Sequence, residues 1–158
     1  MIKLFRIDDR LLHGQVAFAW TKTLGIDTIY VVNDKLATDE ITKMTLNIAK
    51  PRGTKLTVLD VNSGIEEIKK HVNDRTNVMI IVNNVFDAKK IAEGVEEIKT
   101  INFGGIHEIP GTQNKRYSGS ICLTLEDIEA CKEMAAKGIE LEIRAVPEEK
   151  KNILNNKL

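Results

Sequence analysis

Short apolar runs alternate along the chain with stripes of helical period, and this alternation restricts the fold more than any other feature. The runs are Ile2–Ile7, Thr28–Asn33, Lys55–Asp60, Asn77–Val82, Glu97–Phe103 and Glu140–Val146. Several are nearly continuous in β-branched and other apolar residues, as strands covered on both faces are. Between them, Val16, Ala19, Trp20, Thr23 and Leu24 keep the i, i+3, i+4, i+7, i+8 spacing of one helix face. Ile41, Met44 and Ile48 form a second face, Ile65, Ile68 and Val72 a third, and Ile91, Val95 and Ile98 a fourth. Leu125, Ile128, Cys131 and Ala135 form a fifth, which Gly138 closes as a C-terminal cap.

Strand–helix alternation requires parallel strands joined by right-handed crossovers. The expected fold class is therefore α/β: an open, doubly wound, mostly parallel sheet with helices on both faces. The length of 158 residues fits a single domain, 1–158. Gly104–Gly119 breaks the rhythm with glycines, Pro110 and the adjacent Lys115-Arg116. It reads as a long loop with one short antiparallel strand near Tyr117–Ile121. The polar tail after Pro147 reads as a short peripheral helix.

Several function classes fall away on composition. Lys+Arg and Asp+Glu both total 23, so the formal net charge is zero, and a general nucleic-acid binder would be strongly basic. Cys122 and Cys131 fit neither a redox motif nor a zinc knuckle, and read as small buried hydrophobes in a reducing compartment. The longest wholly apolar runs, Val16–Trp20 and Val78–Val82, are far short of the roughly 20 residues that span a bilayer. Met1-Ile2-Lys3, followed by Asp8 and Asp9, leaves no room for a signal peptide, so a cytoplasmic protein without membrane insertion is expected. Neither GxxxxGK[ST] nor a GxGxxG after the first strand is present, and Gly104-Gly105 reads as a turn. His13, His71 and His107 are widely separated, so neither metal nor cofactor is expected; His71 reads as a solvated surface residue and His107 as an ordinary loop residue.

The reactive groups gather in one place. After the first strand comes Asp8-Asp9-Arg10-Leu11-Leu12-His13-Gly14-Gln15, leading into the helix that Val16 continues. Ligands of open α/β sheets bind outside the carboxyl ends of the strands. An imidazole and a guanidinium stand here at a helix N-terminus, whose free N–H groups and dipole favour an anion. Gly14 lets the backbone come close to that anion. With no metal, nucleotide or serine partner indicated, His13 is expected to carry the anion itself, because a neutral imidazole nitrogen is a competent nucleophile. Asp8 and Asp9 repel an anion and read as turn-forming and capping side chains, one of which orients Arg10 or the imidazole.

The stretch Phe5-Arg6-Ile7-Asp8-Asp9-Arg10-Leu11-Leu12-His13-Gly14-Gln15-Val16 resembles the active-site signature of the mannose/sorbose-family IIB component of the bacterial sugar phosphotransferase system. The similarity continues through Trp20, Val31-Val32-Asn33-Asp34 and Phe103-Gly104-Gly105, and spans nearly the whole chain. It implies a protein-Nπ-phosphohistidine–sugar phosphotransferase. His13 would be phosphorylated on Nδ1 by the phosphohistidine of a IIA partner and would pass the group to a sugar entering through the membrane IIC/IID complex. Arg10 would steady the phosphoryl group, and Asp9, Gly14, Gln15 and Val16 would complete its binding loop. The protein would be cytoplasmic and recruited peripherally by its permease. The resemblance leaves Lys115 and Arg116 without a role and the sugar open.

Two other readings stand beside this one. A receiver-type regulatory domain also places an acidic pair after strand one, here Asp8-Asp9, and a phosphorylatable aspartate after strand three, here Asp60. It needs a lysine closing strand five, where this chain has Phe103-Gly104-Gly105. A non-catalytic partner-binding α/β domain is the third reading, and it gives Arg10, His13 and Gly14 no task.

Overall fold

The computed structural model describes all residues, Met1–Leu158. Its strands are β1 (Ile2–Asp8), β2 (Thr28–Val32), β3 (Lys55–Leu59), β4 (Val78–Val82), β5 (Thr100–Gly105), β6 (Asn114–Arg116), β7 (Cys122–Thr124), β8 (Glu140–Ile143) and β9 (Asn152–Ile153). One sheet has the order β3-β2-β4-β1-β5-β8-β9. Its first six members pair in parallel, and β9 closes the edge antiparallel to β8. β6 and β7 form a separate antiparallel pair.

Side-chain alternation along the central strands divides the interior in two. Val78, Ile80 and Val82 of β4 join the larger core with Ile68, Ile91 and Cys131 of α3 (Val61–Lys69), α4 (Val85–Gly94) and α5 (Leu125–Ala136). Met79 and Ile81 face the smaller core with Trp20 of α1 (Gly14–Leu24) and Leu46 of α2 (Glu40–Ala49). Fully burying such a side chain contributes about 1.5–3 kcal/mol, and all five residues of β4 are buried. Helices therefore cover both faces, as expected, but the smaller core holds no residue of β5 or β8.

Local chemistry starts the helices on the larger core. Asp60 caps α3 by accepting from Ser63 N at 2.8 Å, and Asn84 caps α4 through Asp87 N. Thr124 and Asp127 form a reciprocal capping box on α5.

The boundaries correct four expectations. The fourth helical face does not run to Ile98: α4 ends at Gly94, Val95 and Ile98 are buried in the following turn, and β5 begins at Thr100 and continues to Gly105. Tyr117–Ile121 is the connection between β6 and β7 rather than a strand. The tail is not simply a helix, because Leu154 N donates to Leu141 O and Asn155 Oδ1 accepts from Leu141 N, drawing β9 onto β8. Finally, the stripe Ile41, Met44 and Ile48 faces outward, and Leu46 is the residue that α2 buries.

Candidate functional site

β1 lies between β4 and β5, and α1 leaves it toward the smaller core while the connections from both neighbours cross the larger one. The carboxyl end of β1 is thus a topological switch point, where α/β sheets open a crevice. Asp8 ends the strand there with a side chain of 0% exposure.

The loop folds around that carboxylate. Asp8 Oδ1 accepts from Arg10 N and Nε, each at 3.1 Å. Oδ2 accepts from Arg6 Nη2 at 3.0 Å and Arg10 Nη2 at 3.3 Å, and lies 3.1 Å from His13 Nε2. Burial alone would raise the Asp8 carboxyl, but the Arg10 hydrogen bonds, the Arg6 charge and the His13 contact outweigh it and hold it below the usual carboxylate range. A carboxylate can only accept, so His13 presents Nε2–H to Asp8; in the neutral ring the lone pair is then on Nδ1, which makes no hydrogen bond. The His13 side chain is 28% exposed.

Arg10 gives Asp8 its Nε–Nη2 edge and leaves Nη1 free. Leu11 takes a left-handed backbone with φ 60, a conformation costing of order 1–2 kcal/mol for a residue with a Cβ. The turn from Leu11 N to Asp8 O and the burial of Leu12 hold it there. His13 is the N-cap residue of α1 but makes no side-chain cap, so the first-turn N–H groups of Gly14, Gln15 and Val16 lack an intrahelical acceptor. A Cβ on Gly14 would meet nothing within 4 Å, and the helix mouth is open above it.

Asp9 bonds to the loop after β5 and makes no hydrogen bond to Arg10. Its carboxylate accepts from His107 N at 2.7 Å and lies 2.9 Å from His107 Nδ1, tying the loop after β1 to the loop after β5. His107, expected as an ordinary loop residue, is therefore an anchor at the rim of the site. Arg116 shares a surface cleft with Arg10 and His107 and donates to the Ser118 and Gly119 carbonyls, while Lys115 stands over the Tyr117 ring at 5.0 Å.

Three expectations need correction. His71 is not a free surface residue: Nε2 meets Tyr30 Oη at 3.0 Å and Nδ1 meets Asp74 at 2.7 Å. Gly104-Gly105 is not a turn but the end of β5. A Cβ on Gly104 would enter the Arg6 guanidinium, and one on Gly105 would stand 3.0 Å from Arg10 Nη2. The receiver arrangement is not assembled either. β2 and β4 separate Asp60 from β1, about 14 Å at the usual strand spacing.

Sequence reasoning missed the support beneath the loop. Arg6, Asn102 and Glu142 are directly opposite one another across β1, β5 and β8, on the part of the sheet that the smaller core does not reach. Arg6 Nη1 donates to Asn102 Oδ1 at 2.6 Å and to Arg144 O at 3.1 Å. Trp20 lies against both guanidiniums, with its ring centroid 5.8 Å from that of Arg6 and 4.9 Å from that of Arg144. Arg144 Nη2 donates to Glu142 Oε1 at 3.1 Å, while Arg144 Nε and Glu142 Oε2, also 3.1 Å apart, form no hydrogen bond of their own. The available signal was a polar residue with apolar neighbours on both sides in each run: Arg6 between Phe5 and Ile7, Asn102 between Ile101 and Phe103, and Glu142 between Leu141 and Ile143.

No group of three or more His, Cys, Asp or Glu side chains is arranged to hold a metal ion, and no helix is long and apolar enough to cross a membrane.

The family profile of the PTS system sorbose subfamily IIB component matches residues 2–158. The mannose-specific EIIAB component of the PTS system in Escherichia coli K12 is 37% identical over 146 residues, covering 92% of this chain. This chain spans only 45% of that relative's length. A probable phosphotransferase enzyme IIB component of Streptococcus pyogenes serotype M6 is 36% identical over 140 residues, covering 86% of this chain and 85% of its own. The crystal structure of the IIBSor domain of the Klebsiella pneumoniae sorbose permease superposes with a TM-score of 0.91 at 29% identity, covering 99% of this chain and 95% of that one.

Proposed function

The chain belongs to the sorbose subfamily of IIB components of the phosphotransferase system, and from that premise we propose that His13 is its phosphoryl carrier. The acceptor atom is Nδ1, and the donor is the phosphohistidine of a IIA protein. The group then passes to a sugar at the membrane IIC/IID complex, which recruits this component peripherally from the cytoplasm.

One observation carries the reading: the ring is fixed to Asp8 through Nε2 while Nδ1 is unbonded at the open mouth of α1. Transfer between two imidazoles requires in-line approach and stabilised charge more than acid–base chemistry. Arg10 supplies its free guanidinium edge, and the N–H groups of Gly14, Gln15 and Val16 supply donors on the other side. Asp9 serves the loop by anchoring it to His107 and does not meet the phosphoryl group.

The test is incubation with phosphorylated IIA. The wild-type protein and Asp60→Ala each acquire one acid-labile phosphoryl group that resists hydroxylamine better than an acyl phosphate does, and His13→Ala acquires none. Label retained on His13→Ala overturns the assignment.

A further inference from the structure

Asp8 has no exposed surface, and a carboxylate so placed reverts to its neutral form unless fixed charge and donors keep it ionised. Its state decides what His13 can do. An ionised Asp8 only accepts, so the proton of the neutral ring sits on Nε2 and Nδ1 keeps its lone pair. A protonated Asp8 would donate to Nε2, and the ring proton would then occupy Nδ1, the atom that must attack.

Two guanidiniums face Asp8, and they differ in freedom. The Arg10 side chain is 45% exposed on the loop, and any turn toward a phosphoryl group loosens its grip on Asp8. The Arg6 side chain is 2% exposed and clamped by Asn102, the Arg144 carbonyl and Asp8 itself. His13 is the remaining titratable neighbour of Asp8, while Glu142 and Arg144 of the β8 region reach the group through Arg6. A Cβ on Gly104 would lie 2.1 Å from the Arg6 guanidinium carbon, so β5 itself is shaped to admit this side chain.

We propose that Arg6 is a positioning residue for His13: from inside the fold it holds Asp8 ionised, so that the ring proton stays on Nε2 and the lone pair on Nδ1 while Arg10 moves to the phosphoryl group. The proposal rests on the reading of His13 as phosphoryl acceptor. In that step the Nδ1 lone pair forms the new P–N bond as the donor's P–N bond breaks, and the broken bond's electron pair returns to the donor ring. No proton leaves Nε2.

The experiment reads the His13 tautomer by ring nitrogen NMR on the unphosphorylated protein, then the rate of phosphoryl acceptance against pH. Wild type, Arg6→Lys and Arg10→Ala show the Nε2–H form. Arg6→Met shifts toward Nδ1–H and accepts phosphoryl groups about tenfold more slowly near pH 7, a factor of ten for each unit that Asp8 rises past the working pH. Its rate recovers as pH rises and Asp8 ionises again. An Nε2–H tautomer retained in Arg6→Met, with a pH-independent loss of rate, overturns the proposal. Should Arg6→Met not fold, Arg10→Ala decides: Nε2–H retained supports Arg6 as the holder, and Nδ1–H assigns that task to Arg10. A wild-type protein that accepts no phosphoryl group overturns the reading of His13 as carrier and leaves the tautomer result standing.

Discussion

A Cβ built on Gly104 lies 2.1 Å from both Cζ and Nη2 of Arg6. The guanidinium has no free direction of retreat, because Asn102, the Arg144 carbonyl and Asp8 hold it on its other sides. Gly104→Ala must therefore break a buried charged pair, a loss of about 3–5 kcal/mol. At Gly105 the added Cβ meets Arg10 Nη2 at 3.0 Å and Asp8 Oδ1 at 3.1 Å, and Arg10 can yield toward solvent. Urea midpoints are expected to fall only slightly in Gly105→Ala and much further in Gly104→Ala; equal midpoints would show that Arg6 is not clamped.

Asp8 links the same network to acid stability. Its carboxyl is held below the usual range in the folded protein, against the effect of burial, by Arg10, Arg6 and His13. A carboxyl lowered on folding contributes stability above its unfolded value of about 3.9, and that contribution is lost as pH falls through the folded value. Asp8→Asn leaves Arg6 buried without its counter-charge, so it should cost about 3–5 kcal/mol at neutral pH. The gap between wild type and variant should narrow as pH falls below about 4, because the wild type then loses the same charge. Urea unfolding at neutral and acid pH measures it, and a gap independent of pH would count against the ionised pair.

The parts of this fold that could be read in sequence are those whose residues lie next to one another in the chain. β4 and β2 are continuous apolar runs because both faces are covered, and Arg10, His13 and Gly14 sit in one contiguous stretch between a strand and a helix. The stripe Ile41, Met44 and Ile48 correctly marked a helix, but periodicity does not say which face turns inward, and Leu46 is what packs there. β9 has two residues and depends on pairing with β8, which no local pattern encodes. The row Arg6, Asn102 and Glu142 exists only through the register of three strands, and each member alone is a polar residue between two apolar neighbours. His107 likewise reaches Asp9 only when β5 is placed beside β1.

Arg10 should matter more for transfer than for folding. Its Nε–Nη2 edge closes on Asp8 as a fork, Nη1 is free, and on the proposed reading the same planar group turns from the carboxylate toward the phosphoryl oxygens. Lysine, a single ammonium, cannot make both contacts. Arg10→Lys is expected to keep cooperative unfolding and to lose about 1.5–3 kcal/mol of charged hydrogen bonding in the transfer step, roughly ten- to a hundredfold in rate. Stopped-flow transfer from phosphorylated IIA checks it, and an unimpaired rate removes Arg10 from the phosphoryl site.

If His13 is the carrier proposed above, the surface around it serves two partners in turn, since one ring then both accepts and gives up the phosphoryl group. Two imidazoles exchange it only if both reach the surface and approach in line. The half-exposed Arg10 and the partly exposed His13 meet that requirement at the mouth of α1, and the exposed Phe18 lies one turn further along the same helix. Shuttling also requires rapid release, so each contact should be small, below about 1,200 Å² in total, the range of weak and transient encounters. Serial use of one site makes the partners competitors. Chemical-shift mapping with unphosphorylated IIA, and then with the solubilised IIC/IID complex, should perturb overlapping residues from Arg10 to Val16, and an excess of IIA should displace the permease complex. Two separate footprints, or both partners bound at once, would rule out a shared face and leave the proposal of His13 as carrier standing.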